Sequence, residues 1–360
     1  MNKIRTPVPI ILVVILGLLL WPALTKTSGA KEQTLGVKEI ARYEGKDREQ
    51  KLLQWAKEKK EILVYASEQA DDFAVMASAF EKKYGIKVNS YKGTGEALLQ
   101  RIMTEDSAGK LTADIADVGG NQQYILKKEG FTIPFKSPLL AKYPKATYDK
   151  DGYWAGHRLT VFVPMYNTNA VPRNEMARTY KDFLNPKWKG KLAVEVSDYD
   201  WYATLMKHWG PAEGAKYFAQ LKQQQLKPYE GHSLMTELLT SGEIQIAFPG
   251  YLMHALGEVY VRKAPVDWVK VDPVVVKPAG VSLLKSARNP AGGMLFIDFV
   301  LSEEGQAILV KRGRTPALPS IQTIPPDVLK QMNMVSVDFD TMYREGEKWL
   351  KEWHDLIGIQ

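Results

Sequence analysis

The sequence predicts an α/β protein built from two doubly wound halves, and three observations carry that reading. Short apolar runs of strand length alternate with amphipathic helical segments along most of the chain. The alternation occurs twice, before and after one extended stretch, Gly156 to Asn169 (GHRLTVFVPMYNTN). That stretch is rich in β-branched and aromatic residues and lacks helical spacing, which makes it a strand. A strand joining two α/β halves lies under a cleft, and clefts between domains are preferred ligand sites. A central strand of one large sheet is the alternative. The length, 360 residues, fits two domains or one large one.

Composition narrows the class. The chain is 45% apolar and 25% charged, ordinary for a globular protein with a sizeable core. Lys3 and Arg5 precede the apolar run Val8 to Leu24, and small residues follow at Ser28, Gly29 and Ala30. This is the pattern of a signal peptide over residues 1–30; an uncleaved anchor is the other reading of the run. The body is expected to be exported and soluble. Cysteine is absent, which excludes disulfides, thiolate metal sites, a cysteine nucleophile and a lipid-modified cysteine anchor. Export without lipid attachment fits the periplasm. The formal charge is +7, but Lys3, Arg5 and Lys26 lie in the signal segment with no acid, leaving about +4. Basic residues are interspersed with acids, as in Lys57 to Glu61 (KEKKE), so no nucleic-acid stripe is present.

The elements follow in order. Residues 31–47 are polar. A helix is expected over Asp47 to Lys60, a buried strand over Ile62 to Ala66, a helix over Asp71 to Tyr84 and a strand over Ile86 to Tyr91. Gly93-Thr94-Gly95 turns into a helix reaching Glu105; Ala113 to Val118 is a strand, and Gly119-Gly120-Asn121 turns it into the helix Gln122 to Lys128. The β-α-β-α-β rhythm predicts a parallel sheet. In the second half, strands are expected at Leu192 to Val196 and Ile244 to Phe248. Helices are expected at Trp201 to Trp209, Gly214 to Gln224, from His232, and from Gly250-Tyr251. Val274 to Val276 and Val281 to Lys285 read as strands, and Gly292 to Leu301 and Ser302 to Val310 as helices. Pro316 and Pro319 mark a surface loop, and Ser336 to Trp353 is an amphipathic helix whose aromatic residues dock on the body.

No catalytic constellation is visible. Gly93-Thr94-Gly95 lacks the third glycine of a dinucleotide fingerprint, no phosphate-binding P-loop occurs, and no histidines stand at metal spacing. Gly231 to Met235 is one glycine short of a nucleophile elbow. What remains is a set of polar turns where strands end and helices begin. Such turns expose backbone N–H groups at the positive end of the helix dipole, which suits carboxylate or phosphate. They contain Ser67 and Glu68, Thr94 and Gly95, Gly120 and Asn121, and Asp198, whose carboxylate must face away from an anion. Tyr199, Trp201 and Tyr251 offer amphipathic rings, and Arg158 a partner for a carboxylate or phosphate. His254 shares a helix face with Tyr251.

Several stretches together resemble a known family. Asp47 to Leu53, Tyr65-Ala66-Ser67, KGTGEALLQRI (Lys92 to Ile102) and TADIADVGG (Thr112 to Gly120) are similar to bacterial extracellular solute-binding proteins. So are NPKWKGKLAV (Asn185 to Val194), LLTSGEIQIA (Leu238 to Ala247), FIDFVLSEEGQAIL (Phe296 to Leu309) and GRTPA (Gly313 to Ala317). The branch they resemble is the class II periplasmic binding proteins of ABC importers, near the ferric-ion-binding group. The resemblance implies two lobes, 45–160 with 277–360 and 161–276, joined by hinge strands Leu159 to Tyr166 and Val271 to Lys277. It implies a monomeric carrier that closes on a small molecule and meets an inner-membrane permease, with no cofactor. Ferric-binding relatives use a histidine after the first strand, a glutamate after the third and two consecutive tyrosines. Here those positions hold Gln69, a Gly119 to Gln123 loop without glutamate, and Tyr251-Leu252. An organic or phosphorylated anion is therefore the expected ligand, and a ferric ion or iron chelate on Tyr251 the alternative. An exported enzyme or a membrane-anchored sensor on the same fold are the remaining classes.

Overall fold

The computed structural model describes residues 35–330 and 332–359. The apolar N-terminal run read as a signal lies outside the described residues. The first half contributes β1 (Glu61–Ala66), β2 (Lys87–Lys92), β3 (Ile115–Gly119) and β4 (Ala155–Asn167). The second adds β5 (Leu192–Glu195), β6 (Lys227–Tyr229), β7 (Ile246–Tyr251) and β8 (Val266–Trp268). The chain then returns through β9 (Val274–Leu283), β10 (Thr315–Pro316) and β11 (Met334–Ser336).

The strand order is β2-β1-β3-β9-β4-β7-β5-β6, with β8 and β10 on β4 and β11 on β9. β1 pairs in parallel with β2 and β3, and β5 with β6 and β7, as βαβ crossovers require. The strands at the joint are antiparallel, because the chain crosses on β4 and comes back on β9. The sheet is therefore mixed, not wholly parallel. Residues 155–161 of β4 pair with β9, while residues 162–167 pair with β7 and β8, so one strand serves both halves.

Several boundaries differ from expectation. Val274 to Leu283 is one continuous strand, not two, since Pro278 sits opposite Leu159 without breaking the ladder. Gly250 and Tyr251 end β7, and the helix starts at Leu252. Thr315 to Leu318 is buried against β4, so Pro316 is not in a surface loop. Buried Gln306 accounts for this: its side chain donates to the His157 carbonyl at 2.8 Å and accepts from the Ala317 and Leu318 amides. A short helix, Val37–Ala41, occupies part of the polar segment 31–47, for which no element was expected.

The helix Phe339–Ile357 lays Trp349 and Trp353 into an aromatic cluster with Trp201, Tyr202 and Phe218. Its N-terminus touches the first half, where a Cβ on Gly120 would meet the Phe339 ring at 2.1 Å. The Trp353 indole N–H donates to the Glu195 carbonyl at 3.1 Å. Among the described residues no helix is long and apolar enough to cross a membrane.

Candidate ligand-binding cleft

The cleft opens over the joint and has a volume of about 380 Å³. Its floor is Leu159 and Thr160 of β4 with Ala279 of β9. Ser67, Glu68, Gln69 and Gly119 line it from the first half, Gly231, His232, Ser233, Tyr251, Met253 and His254 from the second, and Arg158, Arg314 and Thr315 complete it.

Three helices begin at this cleft: Ala70–Tyr84 after Gln69, Gly120–Lys128 after Gly119, and His232–Ser241 after Gly231. None of these three N-cap residues accepts a hydrogen bond on its side chain. Elsewhere Thr94, Asn289, Ser302 and Asp338 each cap a helix through the side chain, and Asp47, Asp198 and Gly210 do not. Glycine at two of the three cleft positions leaves the first-turn amides with no local acceptor, and those amides carry the positive end of the helix dipole.

Arg158 reaches the cleft because of a β-bulge. The β4–β9 register shifts between Gly156 and Arg158, which inserts His157 as an extra residue. Successive strand residues normally face opposite sides; the bulge turns His157 and Arg158 onto the same carboxylate. Arg158 Nη1 donates to Asp117 Oδ1 at 2.6 Å, and His157 Nε2 lies 3.2 Å from the same oxygen. Burial alone would raise the Asp117 carboxyl, but Arg158 and His157 hold it below the usual carboxylate range. Glu68 Oε2 stands 4.0 Å from Arg158, and Glu68 Oε1 is buried without a hydrogen-bond partner. On the helix that begins after Gln69, Asp72 accepts from Arg312 Nε and Arg314 Nε, each at 2.6 Å.

The second half supplies a stacked pair. The His232 ring lies 3.5 Å from the Tyr251 ring centroid at 27°, and Tyr251 meets Phe162 edge-on at 5.2 Å. His232 Nε2 is 3.0 Å from Asp198 Oδ1, and His254 Nδ1 is 3.1 Å from Thr236 Oγ1. Burial pushes His232 and His254 each down to about 3 and keeps the Tyr251 phenol and the Asp198 carboxyl protonated well past their ordinary values. Lys277 bonds Asp200 at 2.8 Å; burial opposes its charge, but Asp200 holds the ammonium protonated.

Of the residues singled out from sequence, Ser67, Glu68, Arg158, Tyr251 and His254 line the cleft. Thr94 caps its own helix by accepting from the Ala97 amide at 3.2 Å, and Gly95 packs against Gln122. Gly120 is filled by Phe339, leaving Gly119 as the residue at the cleft; Asn121 does not line it. Asp198 lies behind His232. Trp201 is 1% exposed inside the aromatic cluster, and Tyr199 packs against that cluster half-buried, so neither ring lines the cleft. Gln69, His232, Ser233 and Arg314 were not selected. A glycine before His232 was the available signal, because it leaves that helix uncapped.

Solved structures of two-lobed periplasmic binding proteins share this fold. The periplasmic binding protein AfuA from Actinobacillus pleuropneumoniae, with exogenous fructose-6-phosphate bound, superimposes with a TM-score of 0.69 at 23% identity, over 83% of this chain and 99% of that one. The Trichodesmium protein IdiA (FutA), in complex with iron and citrate, gives 0.69 at 21% identity, over 83% and 100%. The fold is that of these solved periplasmic binding proteins. The chain belongs to the bacterial extracellular solute-binding proteins, whose family model matches residues 111–345. Sequence relatives include iron uptake protein A1 of Synechocystis sp., 28% identical over 71% of this chain and 74% of the relative. The major ferric iron-binding protein of Neisseria meningitidis serogroup B is 25% identical over 72% and 82%. These relatives are named as uptake and binding proteins, and by its family this chain is a solute-binding protein.

Proposed function

We propose that this chain is a periplasmic carrier that captures a small organic anion, carboxylated or phosphorylated, and presents it to an inner-membrane ABC permease. The observation carrying this reading is the meeting of three side-chain-uncapped helix N-termini, from both halves, at one cleft that also holds Arg158 and Arg314. Buried Glu68 Oε1, an acceptor without a partner, favours an anion that brings its own hydroxyl or amine donor over a bare inorganic one. Lobes 45–160 with 277–360 and 161–276 would close about the crossing strands, because a ligand touching both favours the closed state by its differential affinity. The carrier acts as a monomer without a cofactor or nucleic acid.

A second reading is a ferric ion carried with a chelating organic anion. It is favoured by Glu68 and Tyr251, two hard-oxygen side chains in the same cleft, and by the names of the iron-binding relatives. Calorimetric titration with a hexose phosphate, citrate, inorganic phosphate, and Fe³⁺ with and without citrate separates the two. The first reading expects saturable binding of an organic anion and a smaller radius of gyration by solution scattering. Binding confined to Fe³⁺, with a tyrosinate charge-transfer band in the visible, overturns it.

A further inference from the structure

Behind the cleft, Glu195, Asp198 and His232 converge. Glu195 ends β5, Asp198 precedes the helix Tyr199–Trp209, and His232 opens the helix His232–Ser241. One ligand atom from each lies within 4.8 Å of the other two, the one such grouping of three histidine or acidic residues among the described residues. We infer that these three side chains form a structural site for a divalent first-row cation, which shares His232 with the wall of the solute cleft.

Four features support it. Glu195 and Asp198 are 4% and 1% exposed, and the buried Asp198 Oδ2 has no hydrogen-bond partner although a carboxylate oxygen is a strong acceptor. The charged side chains acting on Asp198 are Lys277, Glu195 and Asp200, so three buried carboxylates face a single cation. Lys277 is already committed to Asp200 at 2.8 Å, and among the described residues neither Glu195 nor Asp198 has a lysine or arginine partner of its own. The Asp198–His232 spacing also fits. Asp198 Oδ1 and His232 Nε2 are 3.0 Å apart, the separation of neighbouring donors that each stand about 2.1 Å from one ion. Glu195 is oriented in the manner of a supported ligand, by the Gly231 amide at 3.0 Å and by the Ser197 amide and hydroxyl at 2.7 and 2.6 Å.

Two carboxylates and an imidazole suit Zn²⁺ or Mn²⁺; an all-oxygen set would suit Ca²⁺ or Mg²⁺. The ion would lock the His232 ring against Tyr251, and so fix the wall on which the second half presents its groups to the solute.

The test uses the whole protein, stripped with a chelator and titrated calorimetrically with Zn²⁺ or Mn²⁺ alone, with Tm followed in parallel. One ion per chain and a raised Tm are expected. Asp198→Asn and His232→Gln should each weaken binding at least tenfold, while Thr94→Ala, which removes a helix cap in the first half and touches neither the cleft nor the triad, leaves it within twofold. Circular dichroism checks that each variant folds, and His232→Gln decides if Asp198→Asn does not. Absence of stoichiometric binding by either ion, binding unchanged in the folded Asp198→Asn and His232→Gln variants, or loss in Thr94→Ala overturns the assignment.

Discussion

Arg158→Met isolates the contact that the β4 bulge creates. Asp117 is 1% exposed and accepts from Arg158 at 2.6 Å, so removing the guanidinium leaves a buried carboxylate with His157 as its remaining side-chain hydrogen-bond partner and Lys92 acting on it without a hydrogen bond. Breaking one side of a buried pair costs about 3–5 kcal/mol. The pH dependence gives a second check. In the native protein the Asp117 carboxyl sits below its ordinary range, so its contribution is present above the unfolded value and is lost as pH falls through the folded one. Without Arg158 the burial effect dominates and the carboxyl moves up, so acidification neutralises it and relieves the variant. Urea denaturation at pH 7.5 should show the full loss, and the gap between wild type and variant should narrow at pH 5. A loss below about 1 kcal/mol, or a gap constant with pH, would refute the reasoning. The double variant Arg158→Met/Asp117→Asn should recover part of the stability, because it removes the stranded charge.

Three further outcomes follow. His254 is pushed down to about 3 by burial, with His232 and Arg314 adding to it, so the unfolded chain binds a proton near 6.5 that the folded chain refuses. Stability present above pH 6.5 is therefore lost as pH falls towards 3, by at most about 1.4 kcal/mol per unit because the ring partly faces the cleft; His254→Gln should flatten that slope in thermal melts. A Cβ on Gly280 would lie 2.1 Å from the Ala155 carbonyl oxygen, so Gly280→Ala should lower stability by about 1–3 kcal/mol or more, read by urea denaturation. Trp353 is fully buried, and Trp353→Ala should cost about 3–5 kcal/mol; a smaller loss would mean that the C-terminal helix is weakly docked.

The sequence by itself determined the architecture. Hydrophobic periodicity is a local property of the chain, and it placed the alternating strands and helices, the crossing strand and the amphipathic C-terminal helix within a few residues. It also exposed the strand-to-helix turns as the places where a ligand could be held. Which turns face the ligand was decided only by tertiary structure. Thr94 and Gln69 occupy equivalent positions in the pattern, yet Thr94 caps its own helix while Gln69 opens onto the cleft. Trp201 has the composition of a cleft ring, but the C-terminal helix covers it. Arg314 is 242 positions from the Asp72 that holds it, and Arg158 is aimed by a register shift that no residue pattern announces. A binding site is a relation between distant elements, and register, bulges and the packing of remote helices fix that relation through contacts that local periodicity does not encode.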